Sequence, residues 1–170
     1  MPIVQATVAD IPALVELLNS AYRGDDSKQG WTTEADLLQG NLRTDAPTLL
    51  LLMQTNGAVF LKYVDDNNKM KGCVFLHTKE DKLYLGMLSV LPRIQATGIG
   101  KQLMAEAERY AKDKNCSSIF MKVIDIRHEL VAWYERKGYS KTGETEPFPV
   151  DNRFGTPTQP LEFIILEKNL

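Results

Sequence analysis

Near the N-terminus, apolar and polar positions first alternate and then recur at helical spacing. Residues 3–8, "IVQATV", have the two-residue period of a strand. From Ile11 to Tyr22 the apolar side chains return every three or four positions, which predicts a helix with one face turned to a core. Asp10 stands at the N-cap position and Pro12 just inside, an arrangement that helix starts favour.

The pattern is weaker in the next part of the chain. Residues 24–40, "GDDSKQGWTTEADLLQG", begin as a loop, and "TEADLL" predicts a second short helix that ends at Gly40. Residues 45–57, "DAPTLLLLMQTNG", fit two interpretations. The Asp and Pro at the start and the Gly at the end favour a helix, whereas the short length and the leucines also suit a buried strand.

From residue 59 onward the period changes to two. Residues 59–64 and 73–78 predict a hairpin, which continues into a third strand at 83–90. Residues 99–115 then return to helical spacing, with charged side chains on one face. The run 117–126 is almost continuously apolar and predicts a central strand. The unit from the third strand through the helix to this central strand requires a parallel, right-handed crossover.

The C-terminal part adds one helix and two strands. Residues 129–138 predict a short helix that stops at Gly138, and residues 139–148 and 161–169 predict strands. The connection 149–160 is long for a compact domain, so we interpret it as either mobile or functional. The order of elements predicts a single α/β domain, residues 1–170, with a mixed, mostly antiparallel sheet of about seven strands and helices on both faces.

Composition and charge restrict the functional classes. The formal net charge is −2 and no basic block stands out, so nucleic acid is not an expected partner. The start of the chain has no signal-peptide pattern, and no apolar run approaches the length of a membrane span. Two cysteines, Cys73 and Cys116, are too few for a disulfide framework, and with two histidines they show no metal-ligand spacing. We therefore expect a soluble cytoplasmic protein without a metal.

The segment 95–101, "QATGIGK", is the clearest candidate for chemistry. It connects a predicted strand to a helix, where unpaired N–H groups and the helix dipole favour an anion. Gly98 and Gly100 allow a concave loop, Thr97 offers a hydroxyl and Lys101 a charge. The spacing matches neither a nucleotide triphosphate loop nor a dinucleotide fingerprint. The two glycines alone would be equally compatible with a tight turn.

The stretch Gln95-Ala96-Thr97-Gly98-Ile99-Gly100 matches Q/R-x-x-G-x-G/A, the cofactor signature of the GNAT N-acetyltransferase superfamily, and "LVAWYERKGY" resembles that family's second motif. The resemblance implies a sheet that splays apart between its fourth and fifth strands. It also implies acetyl-coenzyme A as the acetyl donor, with the pantetheine arm along one strand and the pyrophosphate on the glycine loop. The cofactor-binding residues that it implies are Leu88, Ser89, Val90, Gln95, Ala96, Thr97, Gly98, Ile99, Gly100 and Lys101.

By the same resemblance, Tyr134 corresponds to a tyrosine near the thioester sulfur, where a phenol can protonate the departing thiolate. A backbone N–H near Leu88 would polarise the carbonyl oxygen of the acetyl group. The alternative for Tyr134 is an ordinary core tyrosine beside Trp133. Both interpretations stay open on the sequence.

The chain departs from the family pattern before its last helix. Many relatives have an asparagine and a small residue where this chain has Arg127 and Leu130, so the usual asparagine contact with the cofactor is in doubt. In one interpretation Arg127 binds a carboxylate or the cofactor, while Asp125 or Glu129 receives the amine. In the other, Asp125 caps the helix and its neighbours are solvated.

No general base stands out. Glu34 is a candidate, because in the family the segment between the first two helices borders the acceptor pocket, and Trp31 could pack over a substrate. A helix-start glutamate and a packing tryptophan are the alternatives for these two residues. The sequence isoelectric point of about 5.7 slightly favours a cationic acceptor.

The resemblance thus predicts an acetyl-coenzyme A-dependent N-acetyltransferase that transfers directly to a primary amine of a small molecule or a protein, as a monomer or homodimer. An alternative is a catalytically silent acyl-coenzyme A-binding module with the same fold. A third possibility, a nucleotide-binding protein, predicts stabilisation by a nucleoside triphosphate and none by coenzyme A.

Overall fold

The protein is built on a mixed sheet. A computed structural model describes residues 2–23, 33–35, 37–39, 42–149 and 152–170 of the chain. The strands are β1 (Ile3–Gln5), β2 (Leu38–Gln39), β3 (Ala58–Val64), β4 (Met70–Lys79), β5 (Lys82–Val90), β6 (Ser118–Ile124), β7 (Ser140–Pro147), β8 (Thr156–Pro157) and β9 (Glu162–Asn169). The helices are α1 (Ile11–Tyr22), α2 (Ala46–Gln54), α3 (Ile99–Asp113) and α4 (His128–Arg136), with short 3-10 helices at Val8–Asp10, Pro92–Thr97 and Asn152–Phe154.

Seven of these strands form one sheet in the order β1-β3-β4-β5-β6-β9-β7. All neighbouring pairs are antiparallel except β5 and β6, which are parallel and are joined through α3. Strands β2 and β8 pair separately. The predicted mixed, mostly antiparallel sheet of about seven strands is therefore confirmed, as is the parallel crossover.

The parallel pair separates soon after it begins. Only Lys82–Tyr84 of β5 pair with Ser118–Phe120 of β6, although both strands continue beyond these residues. On its other side β5 stays paired with β4, but the register shifts at a bulge where Met87 has a φ of +53°. A bulge bends its strand, and here the bend accompanies a gap between the fourth and fifth strands of the sheet. The predicted splay is present.

Alternation along β4 sends side chains to helices on both faces of the sheet. On β4, Cys73 and Phe75 belong to the core cluster that contains the buried residues of α1 and α2. Val74 and Leu76 belong to the cluster that contains the buried residues of α3 and α4. Because successive side chains of a strand point to opposite faces, the two clusters lie on opposite sides of the sheet. The helices are therefore on both faces, as predicted.

Two helix predictions had different outcomes. Residues 45–57 form helix α2 rather than a strand, and the Asp45 carboxylate accepts from the Thr48 N–H at 2.9 Å, which caps the first turn. The helix predicted to run to Gly40 is wrong. The Leu38 N–H bonds to the Glu34 carbonyl in a single turn, and the chain then enters β2, because pairing with β8 replaces further helical bonds.

Strand β8 and the 3-10 helix at Asn152–Phe154 lie within the long connection 149–160, which thus has ordered structure of its own. Within the described residues, no helix has both the length and the apolar character needed to cross a membrane.

Candidate active site

A cavity of about 430 Å³ lies where β5 and β6 separate. One wall is the bulged part of β5, residues 84–88, and the facing wall is β6, residues 121–124. Helix α4 contributes Leu130 and Tyr134, and the connection after β7 contributes Phe148, Pro149, Phe154 and Gly155. The splay of the sheet therefore creates a concave site whose two long walls are strand backbone.

Tyr134 is buried in the wall of this cavity, with 7% of its surface exposed. Its ring packs edge-on against Trp133 at 5.1 Å and against Tyr139 at 6.1 Å between centroids. Burial, with a smaller contribution from nearby Tyr22, raises the pKa of Tyr134 well above its ordinary value. The phenol therefore keeps its proton at physiological pH and can donate a hydrogen bond, while its ring packs as a core tyrosine does.

A second tyrosine, Tyr22 at the end of α1, reaches the bulge of β5. Its hydroxyl donates to the Leu88 carbonyl, and burial raises the pKa of Tyr22 to about 12. The Leu88 carbonyl is thus engaged within the protein. Nearby, the strand leaves no room for a side chain at Gly86, because a Cβ there would lie 2.8 Å from Tyr84 Oη. Tyr22 and this close approach fix the shape of the bulge.

Three arginines line the same cavity, and we call Arg23, Arg43 and Arg127 the arginine cluster. Arg23 forms a buried ion pair with Glu34, and its guanidinium also donates to the Phe154 carbonyl at 3.1 and 3.3 Å. Arg127 Nη1 lies 3.6 Å from Glu34 Oε2. Glu34 thus joins two arginines that are far apart in the sequence, and Arg23 fastens the 149–160 connection to the end of α1.

The glycine loop lies at the start of α3. Gly98 has a φ of +86°, a conformation that glycine adopts without strain, and no described atom lies within 4 Å of the position of a Cβ there. At Gly100 a Cβ would meet only Val90 Cγ2, at 3.9 Å. The Thr97 hydroxyl donates to the Ile94 carbonyl at 2.7 Å, so in this structure it presents an acceptor to its surroundings. Lys101 is exposed.

This loop has the features of an anion-binding site. The first N–H groups of a helix have no partner within the helix, and the open space at Gly98 permits a ligand to approach them. Of Gln95 and Ala96 only the backbone is described, within the 3-10 turn Pro92–Thr97. Ile99 is buried at the first position of α3.

The other predicted site residues are distributed differently. Ser89 and Val90 are 1% and 5% exposed on β5, and the Ser89 hydroxyl donates to the Met87 carbonyl at 3.1 Å. Asp125 does not line the cavity at the splay. Its Oδ1 accepts from the Glu162 N–H at 3.4 Å, and it borders a separate cavity of about 280 Å³.

The position of Asp125 also excludes it as the cap of α4. The N-cap of that helix is Arg127, and no side-chain bond caps it. The turn from Ile124 to Arg127 directs Asp125 toward β9 instead, where its N–H bonds to the Glu162 carbonyl at 2.8 Å. Trp31 lies outside the described residues.

Sequence reasoning missed Tyr22, Arg23, Arg43 and Lys122, all of which line the cavity. The only available signal was that Tyr22 and Arg23 directly precede the segment expected to border an acceptor pocket. Arg43 lies in a loop and Lys122 alternates outward on a strand, so in sequence both look like solvated cations.

The chain also resembles known proteins in sequence. The model of the acetyltransferase (GNAT) family matches residues 11–139. The chain belongs to this family. An acetyltransferase of Agrobacterium fabrum is 29% identical over 83 residues, which are 49% of this chain and 59% of the relative, so the match spans about three-fifths of that relative's length. The predicted family resemblance is confirmed.

Solved GNAT structures share the whole fold. The ribosomal-protein-alanine N-acetyltransferase from Brucella melitensis superimposes with a TM-score of 0.72 at 18% identity, covering 100% of both chains. The PaiA N-acetyltransferase from Thermoplasma acidophilum, solved in complex with coenzyme A, gives a TM-score of 0.68 at 19% identity and covers 99% of this chain and 98% of that one. At these identities the likeness establishes the fold.

Proposed function

We propose that this GNAT protein transfers an acetyl group from acetyl-coenzyme A directly to a primary amine. The observation that carries the proposal is the course of strand β5, whose residues beyond Tyr84 have no pairing partner in β6. Strand β5 leads from the wall of the cavity, beside Tyr134, to the glycine loop at the start of α3. A long acyl carrier requires an anion-binding loop near one end of an unpaired strand edge and a buried hydrogen-bond donor near the other. We expect the protein to act in the cytoplasm, as a monomer or homodimer.

The residues would hold acetyl-coenzyme A through the main chain. Amides from Gln95 to Lys101 would bind the pyrophosphate, and Leu88–Val90 would pair with the pantetheine arm where β6 has diverged. Since Tyr22 already engages the Leu88 carbonyl, that residue would contribute its N–H. Bound in this way, acetyl-coenzyme A supplies the acetyl group as a thioester.

Tyr134 is the proposed general acid. The thiolate that leaves when an amine takes the acetyl group needs a proton or a hydrogen bond, and the Tyr134 hydroxyl can provide it at the cavity wall. The raised pKa of Tyr134 ensures that the proton is present, and the packing of its ring against Trp133 and Tyr139 keeps the hydroxyl in place.

The acceptor amine must lose a proton before it attacks, and the cavity favours this without a dedicated base. Glu34, the candidate base, has its two carboxylate oxygens near Arg23 and Arg127, so its role is to position these arginines. The surrounding positive charge disfavours a protonated ammonium and lowers the pKa of a bound amine. Water can then take the proton from the amine.

The alternative is a catalytically silent module that binds acyl-coenzyme A. The observation in its favour is the same engagement of Glu34, because it leaves the cavity without an unpaired carboxylate base within the described residues. Such a module would need the glycine loop and β5 but not Tyr134.

The test is thiol release from acetyl-coenzyme A in the presence of an amine panel. Tyr134→Phe should lower kcat by roughly 100-fold or more while coenzyme A still binds, as expected for loss of a general acid. Tyr63→Phe is the matched control, because Tyr63 lies on β3 outside the cavity lining, and it should leave kcat unchanged. If coenzyme A binds but no amine accelerates thiol release, the silent module is the correct assignment.

A further inference from the structure

The cavity at the splay carries much more positive than negative charge. Within the part of the chain that the structure describes, its lining contains one carboxylate, Glu34, and four cationic side chains, Arg23, Arg43, Lys122 and Arg127. The whole chain has a formal net charge of −2, so this local excess does not follow from composition. The excess is concentrated where the acceptor would bind.

The single carboxylate is already shared between two cations. Arg23 Nη1 contacts Glu34 Oε1, and Arg127 Nη1 lies 3.6 Å from Glu34 Oε2. Only 3%, 11% and 8% of the Arg23, Glu34 and Arg127 side-chain surfaces are exposed. Glu34 is thus the one carboxylate among the described lining residues, in surroundings where water screens charge poorly.

Arg43 adds a third guanidinium. Its Cζ lies 5.6 Å from the centroid of the Tyr22 ring, and within the described residues no carboxylate forms an ion pair with it. Lys122 differs, because its Nζ is 2.9 Å from Glu146 Oε2, on a side chain that is 47% exposed. Among the four described cations of the cavity lining, Arg43 is thus the one that no described carboxylate pairs with.

We infer that the acceptor amine also carries a carboxylate, as an amino acid does, and that the arginine cluster binds it. This inference rests on the proposed acetyl transfer and specifies its acceptor. Planar guanidiniums bind carboxylates through paired N–H donors. A carboxylate supplies the charge that the cavity lacks, whereas the second ammonium of a polyamine would add repulsion. The cavity therefore reverses the preference for a cationic acceptor that the acidic isoelectric point suggested.

The volume of the cavity, about 430 Å³, suits a small-molecule acceptor. The Phe154 carbonyl is bonded to Arg23, and β8 is paired with β2, so the 149–160 connection is held across one side. The rings of Phe148 and Phe163, with centroids 5.1 Å apart, line the same space. An apolar amino acid fits such a lining, with its side chain against the rings and its carboxylate at the arginine cluster.

The experiment compares amines that differ only in the carboxylate. L-Phenylalanine and L-leucine are each paired with their C-terminal amides, and 1,5-diaminopentane represents a dication. Thiol release from acetyl-coenzyme A measures kcat/KM for each amine. Each value is then divided by the fraction of unprotonated amine, because an amide lowers the pKa of the neighbouring amine. We expect the carboxylates to exceed their amides about 10- to 100-fold, the size expected for charge-assisted hydrogen bonds.

A second readout does not depend on turnover. Thermal unfolding with each amine, in the absence of acetyl-coenzyme A, should show a higher Tm with the amino acids than with their amides. Arg43→Gln should raise KM for L-phenylalanine about 10-fold and reduce the ratio of kcat/KM between L-phenylalanine and its amide. Arg43→Lys should recover part of the loss. Arg109→Gln, on the outer face of α3 with 57% of its side chain exposed, is the matched control and should have no effect.

The outcomes separate the inference from the proposed function. If coenzyme A binds and an amine accelerates thiol release, but the amides or the diamine equal the amino acids, the inference is wrong and the acetyl transfer stands. An aminophosphonate that binds better than the amino acid would also overturn it in favour of a phosphate-type acceptor. If no amine accelerates thiol release, the inference falls together with the proposed function.

Discussion

The proposed site along β5 has an α3 end, at the glycine loop, and a cavity end, and the two are built in opposite ways. At the α3 end, the loop that includes Gly98 offers main-chain amides, and no described atom lies within 4 Å of a Cβ placed there. At the other end the site consists of buried side chains, with Arg23, Glu34 and Tyr134 between 4% and 9% exposed. One end depends on the conformation of the backbone, and the other depends on charges and a phenol that are kept from water.

This difference indicates which kind of substitution should disturb each end. Substitutions at the α3 end should act through backbone conformation and through the space left for the ligand. Substitutions at the cavity end should act through electrostatics, because a buried charge that loses its partner is expensive. The two ends can therefore be distinguished by the size and the kind of effect that single substitutions produce.

The largest effect on stability is expected at Glu34. Glu34→Ala leaves Arg23, whose side chain is 3% exposed, without its carboxylate, and removes the contact with Arg127. We expect the free energy of unfolding to fall by about 3–5 kcal/mol, since removing one partner of a buried ion pair leaves an uncompensated charge. Urea denaturation monitored by circular dichroism measures the change.

Glu106→Ala is the matched control for Glu34→Ala. Glu106 pairs with Arg109 on α3, where the arginine side chain is 57% exposed, so the loss should stay below about 1 kcal/mol. Equal losses in the two variants would contradict the expectation that the Arg23–Glu34 pair contributes to stability as a buried ion pair.

The next effect concerns the glycines of the loop. Gly98→Ala forces a Cβ onto a residue with a φ of +86° and should cost about 1–2 kcal/mol of stability. It should also weaken coenzyme A binding, because the added methyl enters the open space. Gly100→Ala lies in the first turn of α3 with only Val90 Cγ2 nearby, and should stabilise the fold by about 0.5–1 kcal/mol.

Urea denaturation and isothermal titration with coenzyme A measure both glycine variants. The same added methyl group is expected to lower the free energy of unfolding at residue 98 and to raise it at residue 100. A Gly98→Ala protein that binds coenzyme A as well as the wild type does would place the pyrophosphate elsewhere.

The last effect is a pH dependence at the cavity end, which appears only at alkaline pH. Burial raises the pKa of Tyr22 to about 12, whereas an unfolded tyrosine ionises near pH 10. The stability that this shift contributes is therefore complete below about pH 10 and is lost as the pH rises toward 12. We expect the urea midpoint to fall above about pH 10, and to fall less in Tyr22→Phe.

Cys73 provides an internal reference for this titration. Burial raises the pKa of its thiol to about 12, so its contribution to the fall begins lower, near pH 9, and is present in both proteins. A wild-type midpoint that declines with pH no more than that of Tyr22→Phe would show that the pKa of Tyr22 is not raised in the folded protein.

The predictability of the two ends from sequence follows from the same contrast. The glycine loop was predictable because its chemistry depends on neighbouring residues, Gln95–Lys101, and on the strand–helix order around them. The sheet and its splay were predictable because periodicity changes at clear positions and a parallel crossover permits one hand. Helix α2 could not be separated from a strand, since its four consecutive leucines, residues 49–52, show neither a helical nor a strand period.

The cavity end was predicted only in part. Glu34 and Arg127 were identified as candidates, but their partner Arg23 was not, because 11 residues separate Arg23 from Glu34 and tertiary structure alone brings them together. The predicted location of Asp125 in the acceptor site was wrong, because the sequence does not reveal that the chain turns between Asp125 and Arg127. Strand β2 could not be recognised, since its partner β8 lies in a connection without strand periodicity.

A crystal structure with coenzyme A tests the central claim most directly. The account predicts the pyrophosphate on the amides of Gln95–Lys101, the pantetheine along Leu88–Val90, and the thiol sulfur within hydrogen-bond reach of the Tyr134 hydroxyl. A coenzyme A molecule bound away from α3, or a sulfur remote from Tyr134, would contradict it.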